Sequence, residues 1–221
     1  MGSILLVAAP LSGKSVVSKY LEKKYKYVHL SSGDLIRKKA KTDKELHDKM
    51  SKGEFIDDNI ICKLFNDFLE SNKDMNFVFD GFPRTMNQVS EFENILEKNK
   101  IAVDKFIVIN VSKDILLKRL SSRVICDKCN HVFNKYTDNV SDVCPLCNGN
   151  LISRNDDNED TYMDRYNLFI KETKPIIDYF KDKYNFYEIE NDSSVEELYD
   201  KIDYIMKEDD ISWYQLNQIE K

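Results

Sequence analysis

Three short stretches of this 221-residue chain gather the residue types that chemistry requires. The first is VAAPLSGKSV, Val7 to Val16, where Gly13, Lys14 and Ser15 follow an apolar run. Such a turn between a buried strand and a helix aims backbone N–H groups at phosphate oxygens, while its lysine reaches the outer phosphates and its serine hydroxyl a magnesium ion. Pro10, Ser12, Gly13, Lys14, Ser15 and Val16 are therefore candidate phosphate-binding residues. Two positions depart from a glycine-rich loop. Ala8 adds one methyl at the first glycine, and Leu11 stands where glycine supplies backbone freedom or positive φ. A leucine held left-handed costs about 1–2 kcal/mol, so the loop is expected to be strained or to follow a slightly different path.

The second stretch, DGFPRT (80 to 85), follows the apolar run NFVF. Asp80 falls at a strand's C-terminal end, where open parallel sheets bind ligands, and suits a water-mediated hold on Mg²⁺. Gly81 allows close backbone approach, Pro83 stiffens the turn, and Arg84 projects into the crevice. The third stretch holds Cys126, Cys129, Cys144 and Cys147 as C-x2-C-x14-C-x2-C. This is the spacing of a four-thiolate zinc site built from two knuckles, closed and structural. The metal replaces a core that so short an insertion cannot build. A nucleic-acid-binding zinc ribbon is the rival, but the loop NHVFNKYTDNVSDV carries few cations and one Phe. Further cations complete the set. Arg119 and Arg123 are four apart and share a helix face, a placement that a helix C-terminus also favours unaided, and Arg154 and Arg165 flank NDDNED.

Short apolar runs at 3–8, 27–30, 76–80, 105–111 and 186–189 alternate with helical periodicities, predicting an α/β fold around a five-stranded parallel sheet flanked by helices. Val17, Leu21 and Tyr25 mark the first helix, Tyr162, Tyr166, Phe169 and Ile170 a late one that Pro175 should bend, and Val195, Leu198, Ile202 and Ile205 the last. The segments 31–59, polar and helical, and 123–158, rich in cysteine, are expected to lack strands of their own and to be insertions at the sheet's C-terminal edge. The tail is expected to dock through Trp213 and Leu216 or to fray. His29, His47 and His131 have no ligand set to join and read as structural.

A formal charge of −6 gives no general attraction to nucleic acid, so bound anions must be met by placed cations. The absence of an apolar run of membrane-spanning length argues against a membrane protein. The N-terminus shows neither a secretory signal nor a clear presequence, so a cytoplasmic address is the expectation, with a mitochondrial one as the alternative.

Together the loop at the N-terminus, SSGDLIR (31 to 37), GEFID, DGFPRT and the cysteine insertion after an arginine resemble, in order and spacing, the adenylate kinase family over nearly all of the chain. The resemblance implies a P-loop NTPase-like core over 1–30, 60–122 and 159–221, a helical AMP-binding insertion over 31–59 and a zinc-binding lid over 123–158. It implies that Ser32, Arg37, Gly81, Arg84 and Gln88 hold AMP, with Phe55 and Ile56 lining its base pocket. Arg119 would contact the donor base, and Val132 and Phe133 would cover the donor nucleotide. Lys14, Arg84, Arg123, Arg154 and Arg165 would meet the transferring phosphates, with Asp156 and Asp157 orienting the arginines. Where the family has a second arginine after Arg123, this chain has Val124. The implied reaction is reversible transfer from Mg-NTP to AMP by a monomer with one structural Zn²⁺, its partners being nucleotides. HLSSGDL, KRLSSR and ETKPIIDYF lean toward the GTP:AMP branch, whereas the zinc lid does not, leaving ATP and GTP both open as donor. A different class stands beside this one: a nucleotide-binding relative weakened in catalysis, serving as regulator or scaffold, for which Ala8, Leu11 and Val16 argue.

Overall fold

The computed structural model describes residues 2–51, 56–129, 131–135, 138, 140–153 and 159–207. The chain runs through β1 (Ser3–Ala8), α1 (Lys14–Tyr25), β2 (Val28–Ser31), α2 (Ser32–Ala40), α3 (Lys44–Ser51), α4 (Asp58–Ser71), β3 (Phe77–Asp80), α5 (Met86–Asn99) and β4 (Val103–Asn110). It continues through α6 (Lys113–Ser121), β5 (Arg123–Cys126), β6 (Val132–Asn134), β7 (Leu151–Ile152), α7 (Glu159–Leu168), a π-helical turn (Phe169–Thr173), α8 (Lys174–Phe180), β8 (Asn185–Glu190) and α9 (Val195–Lys207).

The main sheet has the order β2-β3-β1-β4-β8, and every pair in it is parallel. Parallel strands are covered on both faces, which explains why β1 reads as an unbroken apolar run instead of an alternation. Its odd and even residues serve different cores. Leu5 and Val7 pack with Phe65, Phe92, Phe106 and Phe180 beneath α4, α5 and α8. Ile4, Leu6 and Ala8 pack with Val17 and Leu21 of α1 and with Leu198, Ile202 and Ile205 of α9. From β1 the chain passes out to β2, whereas from the adjacent β3 it crosses to β4, so a crevice opens above the C-terminal ends of β1 and β3.

Two expectations are corrected. The segment 123–158, expected to be strandless, contributes β5, β6 and β7, a small antiparallel sheet in the order β6-β5-β7. Strands of two to four residues are too short to show a period in sequence. The predicted bend at Pro175 takes the form of the π turn immediately before α8. That turn rotates the apolar face: Tyr162 and Tyr166 join one cluster, Phe169 packs on the sheet core, and Ile170, expected on the same stripe, is exposed. The expected docking of Trp213 and Leu216 lies outside the described residues. Among the described residues no helix is long and apolar enough to cross a membrane.

A polar knot joins α1 to α9. Tyr20 stacks on Tyr199 with ring centroids 3.9 Å apart, and Asp203 accepts hydrogen bonds from Tyr20 (2.6 Å), Tyr25 (2.9 Å) and Lys24. Burial pushes the Asp203 carboxyl upward, but the hydrogen bonds from Lys24, Tyr20 and Tyr25 outweigh it and hold the group down to about 2. A carboxyl depressed in the fold stabilises above its unfolded pKa of about 4, and that contribution disappears as pH falls through the folded value. Denaturant titrations of Asp203→Asn are therefore expected to show a smaller loss of stability between about pH 4 and pH 2 than the parent; parallel curves would contradict this role for Asp203.

Candidate active site

The loop after β1 is a closed hydrogen-bonded turn. Ser12 Oγ donates to the Ala9 carbonyl (2.7 Å), and Lys14 Nζ folds back to the Ala8 carbonyl (2.7 Å). Gly13 caps α1 with φ 93°, and a Cβ there would lie 2.8 Å from Asn191 Nδ2. The same Asn191 amide donates to the Ser12 carbonyl (2.9 Å), and Arg119 donates to the Asn191 carbonyl (2.7 Å) and, at the long end of the range, to the Leu11 carbonyl (3.4 Å). Among the described residues no side chain caps α1, and its first turn contains no acidic residue, so its leading N–H groups and positive dipole end suit an anion. Ser15 is exposed at this helix start, and Pro10 and Val16 are half-buried beside it.

Leu11 has φ 67°, the left-handed conformation that its glycine-like position calls for. Its side chain packs against Leu116 and Leu120 of α6 and Tyr162 of α7. Full burial of a leucine contributes about 1.5–3 kcal/mol, and half-buried Leu11 recovers only part of that against a cost of about 1–2 kcal/mol for the left-handed backbone. Ala8 is simply the buried last residue of β1, opposite Ile109.

The second wall is the turn after β3. Strand pairing sets Asp80 beside Leu6 of β1 and Ser31 of β2. Gly81 adopts φ 78°, and a Cβ there would sit 2.8 Å from Arg84 NH2 and 2.9 Å from Ser32 Oγ. Ser32 Oγ (2.6 Å) and Arg84 Nε (2.7 Å) both donate to the Gly81 carbonyl, and the Phe82–Pro83 bond is cis. Gln88 is buried: its Oε1 accepts from Arg84 N–H (2.8 Å) and its Nε2 donates to Asp58 (2.5 Å). An amide keeps one N–H and one lone pair after such a pairing. Arg37, on α2, donates to Asp34 (2.6 Å) with both side chains exposed, and Ile56 is half-buried ahead of α4.

Electrostatics links these walls. Burial pushes the Lys14 ammonium down, with Asp80 pulling up and Arg84 adding to the depression. Burial pushes Asp80 up, but the His29 hydrogen bond and the charges of Lys14 and Arg84 prevail and hold it below the usual carboxylate range, ionised at neutral pH. Desolvation lowers Arg84, Asp80 opposes it, and the like charges of Arg37 and Arg165 lower it further. Lys14, Asp80, Arg84, Arg37 and Arg165 thus share one field, crowded with positive charge that a polyanion would relieve. Arg119 and Arg123 do not share a helix face as expected, because α6 ends at Ser121 and Arg123 opens β5; Arg154, Phe55, Asp156 and Asp157 lie outside the described residues. Arg119 is buried, with two guanidinium nitrogens on the loop's support instead of in the crevice.

Three contributors escaped the sequence reading. His29, read as structural, lies 3.3 Å from Asp80 through Nε2, a contact created by the β2–β3 pairing across 51 residues. Asn191 carried no signal at all. Thr173, in the π turn, donates to the Arg84 carbonyl (2.9 Å), and only the nearby Pro175 hinted that the helix was irregular there.

The cysteine quartet is assembled. Its four sulfurs lie within 4.8 Å of one another, with Cys126–Cys147 at 3.4 Å and Cys129–Cys144 at 3.7 Å. A tetrahedron with Zn–S bonds of 2.3 Å has edges of about 3.8 Å, so the quartet fits zinc. Gly149 is required beside it, because a Cβ would lie 2.7 Å from Cys126 Sγ. Burial pushes the Cys126 thiol up, but the N–H groups of Cys129 and Lys128 and the neighbouring thiols bring it down to about 6, toward the thiolate a metal needs. On β6, Phe133 is buried with Cys126 and Cys144, and Val132 is exposed.

A parallel sheet with a strand–loop–lysine–helix cradle and a second, arginine-bearing turn at its switch point defines a P-loop nucleotide-binding α/β protein. Comparison with known proteins narrows the class. The adenylate kinase family model matches residues 6–185. The adenylate kinase of Caldicellulosiruptor bescii is 35% identical over 183 residues, covering 80% of this chain and 85% of that protein. That of Thermococcus kodakarensis is 37% identical over 183 residues, 80% of this chain and 81% of the relative, and that of Clostridium tetani 32% over 184 residues, 80% and 85%. The chain belongs to the adenylate kinase family.

Proposed function

We infer that this chain transfers the terminal phosphoryl group of Mg-NTP reversibly to AMP, giving ADP and NDP. The observation that carries the reading is the convergence of Lys14 and Arg84 on ionised Asp80 at the ends of β1 and β3, with Arg37 and Arg165 adding like charge at Arg84. Joining a triphosphate to a monophosphate crowds anions, and such transfers need positioning and cations more than covalent chemistry. AMP needs no strong base, because a phosphate monoester with a second pKa of about 6 is already a dianion at neutral pH.

In this reading Pro10, Ser12, Gly13, Lys14, Ser15 and Val16 seat the donor phosphates, and Lys14 turns from the Ala8 carbonyl to the transferring group. Arg84, Arg37, Ser32 and the Gly81 backbone hold the AMP phosphate, the free half of the Gln88 amide reads adenine, and Phe55 and Ile56 flank the base. Arg119 keeps the loop in place while its face meets the donor base. Arg123, Arg154 and Arg165 close on the phosphates, and Val132 and Phe133 cover the donor. The exposed Ser15 hydroxyl and the Asp80 carboxylate suit a hydrated Mg²⁺, which supplies charge neutralisation across the donor's outer phosphates. The division into core (1–30, 60–122, 159–221), AMP-binding insertion (31–59) and zinc lid (123–158) belongs to the same reading, as do a monomeric state, a cytoplasmic location and the absence of nucleic-acid and membrane partners. The test is a panel of ATP and GTP against AMP, GMP, CMP and UMP, followed by ³¹P NMR of the zinc-loaded protein. ADP formation that requires AMP is expected; none with either donor overturns the reading.

A further inference from the structure

Leu11 is half-buried, and its side chain packs against the cluster of Leu116, Leu120 and Tyr162. Two of those partners lie on α6, which leads into the cysteine segment, and the third on α7, which leads out of it. The same two helices carry Arg119 and Arg165. Main chain and side chain of Leu11 therefore meet the same support, since its carbonyl is the long-range acceptor of Arg119. Tyr162 is buried and, among the described residues, its hydroxyl has no hydrogen-bond partner, so its ring is held in the cluster by packing and not by a polar tie. A backbone conformation that glycine would adopt without strain is instead occupied by a residue with a side chain that bridges loop and helices.

We propose that Leu11 is a positioning residue that locks the phosphate loop to α6 and α7, the helices before and after the cysteine segment, so that the seating of the donor phosphates depends on how those helices are held. The inference rests on the phosphotransferase reading above. Glycine at position 11 relieves the left-handed backbone but deletes the lock; alanine keeps the strained conformation and deletes the lock; methionine keeps the lock.

Turnover of Leu11→Gly and Leu11→Ala is expected to fall by about fivefold or more with the KM for AMP changed by less than about twofold, and Leu11→Met to stay within about twofold of the parent. Tyr162→Ala should act on the same lock, so adding it to Leu11→Gly should cost little beyond the larger single effect. Leu11→Gly turning over as fast as the parent or faster, or two losses that multiply, overturns the proposal. Amide exchange in the nucleotide-free protein gives a second reading independent of turnover. Leu11→Gly should speed exchange in α7 as well as in residues 9–13, and unchanged α7 exchange overturns the lock. Accelerated α7 exchange in a protein without phosphotransfer activity would leave the lock standing and reject only the functional reading.

Discussion

Lys14→Met is expected to lower turnover by about 10²–10³-fold, the scale seen when one charge-stabilising group is removed from a transfer site, without lowering the melting temperature. The two halves of this expectation have separate causes. In the nucleotide-free fold the ammonium is half-buried, with the Ala8 carbonyl as its hydrogen-bond partner at 2.7 Å, and burial is the main influence depressing its pKa. A lysine depressed in the fold is charged at a cost to stability, and that cost is present below its unfolded pKa, hence throughout the neutral range. Methionine has a similar length and removes the cost. In the proposed reading the charge meets the donor phosphates when they enter, and a neutral side chain has nothing to offer them. Kinetics and thermal melts on the same preparation check both halves; a variant that lost activity by unfolding would lower both together.

Stripping the metal from the cysteine quartet, or replacing Cys144 by serine, is expected to cut turnover by at least about tenfold and to raise the donor KM more than the AMP KM, with the main sheet intact. The physical ground is the size of the cluster the quartet holds together. Its buried members among the described residues are Val124, Phe133 and Leu151 plus Cys126 and Cys144, so two of the five belong to the quartet itself. Three apolar side chains cannot hold a segment of this length, whereas zinc binding to such thiolate sets is worth about 10–16 kcal/mol in small zinc-dependent domains. The sheet has its own two clusters and does not depend on the metal. Circular dichroism should therefore show the main transition of the sheet persisting, preceded by loss of a small component. Full turnover of protein shown by elemental analysis to be zinc-free contradicts this assignment.

The sheet was legible because parallel strands advertise themselves. SILLVA coincides with β1, and NFVFD, KFIVINV and FYEI overlap β3, β4 and β8 within two residues or so at either end. The phosphate loop was legible as far as two alternatives at Leu11, a strained left-handed residue or a different path, and φ of 67° shows the first. What the sequence could not convey was where that leucine's side chain goes, since Leu116, Leu120 and Tyr162 lie more than a hundred residues away. Separation along the chain, 51 residues in one case and 179 in the other, likewise hid His29 from Asp80 and Asn191 from Ser12, contacts made by sheet register and by the turn after β8. The strands around the cysteines were hidden for another reason. Segments this short acquire their conformation from the knuckles and from β5 as a shared partner, not from a period of their own.

Two nucleosides joined through five phosphates, one more than the four that a triphosphate and a monophosphate bring, have the length to engage donor and acceptor sites together, which makes them the most direct probe of two nucleotide sites meeting over Lys14 and Arg84. Isothermal titration of the adenosine–adenosine and adenosine–guanosine forms should find the better of them binding at least about 100-fold more tightly than ATP or GTP alone, because the second site is engaged at high effective concentration. Arg84→Ala should abolish that advantage while leaving triphosphate affinity close to the parent's. An affinity no better than that of the single triphosphate would contradict a shared crevice, and with it the account of phosphoryl transfer given for this fold.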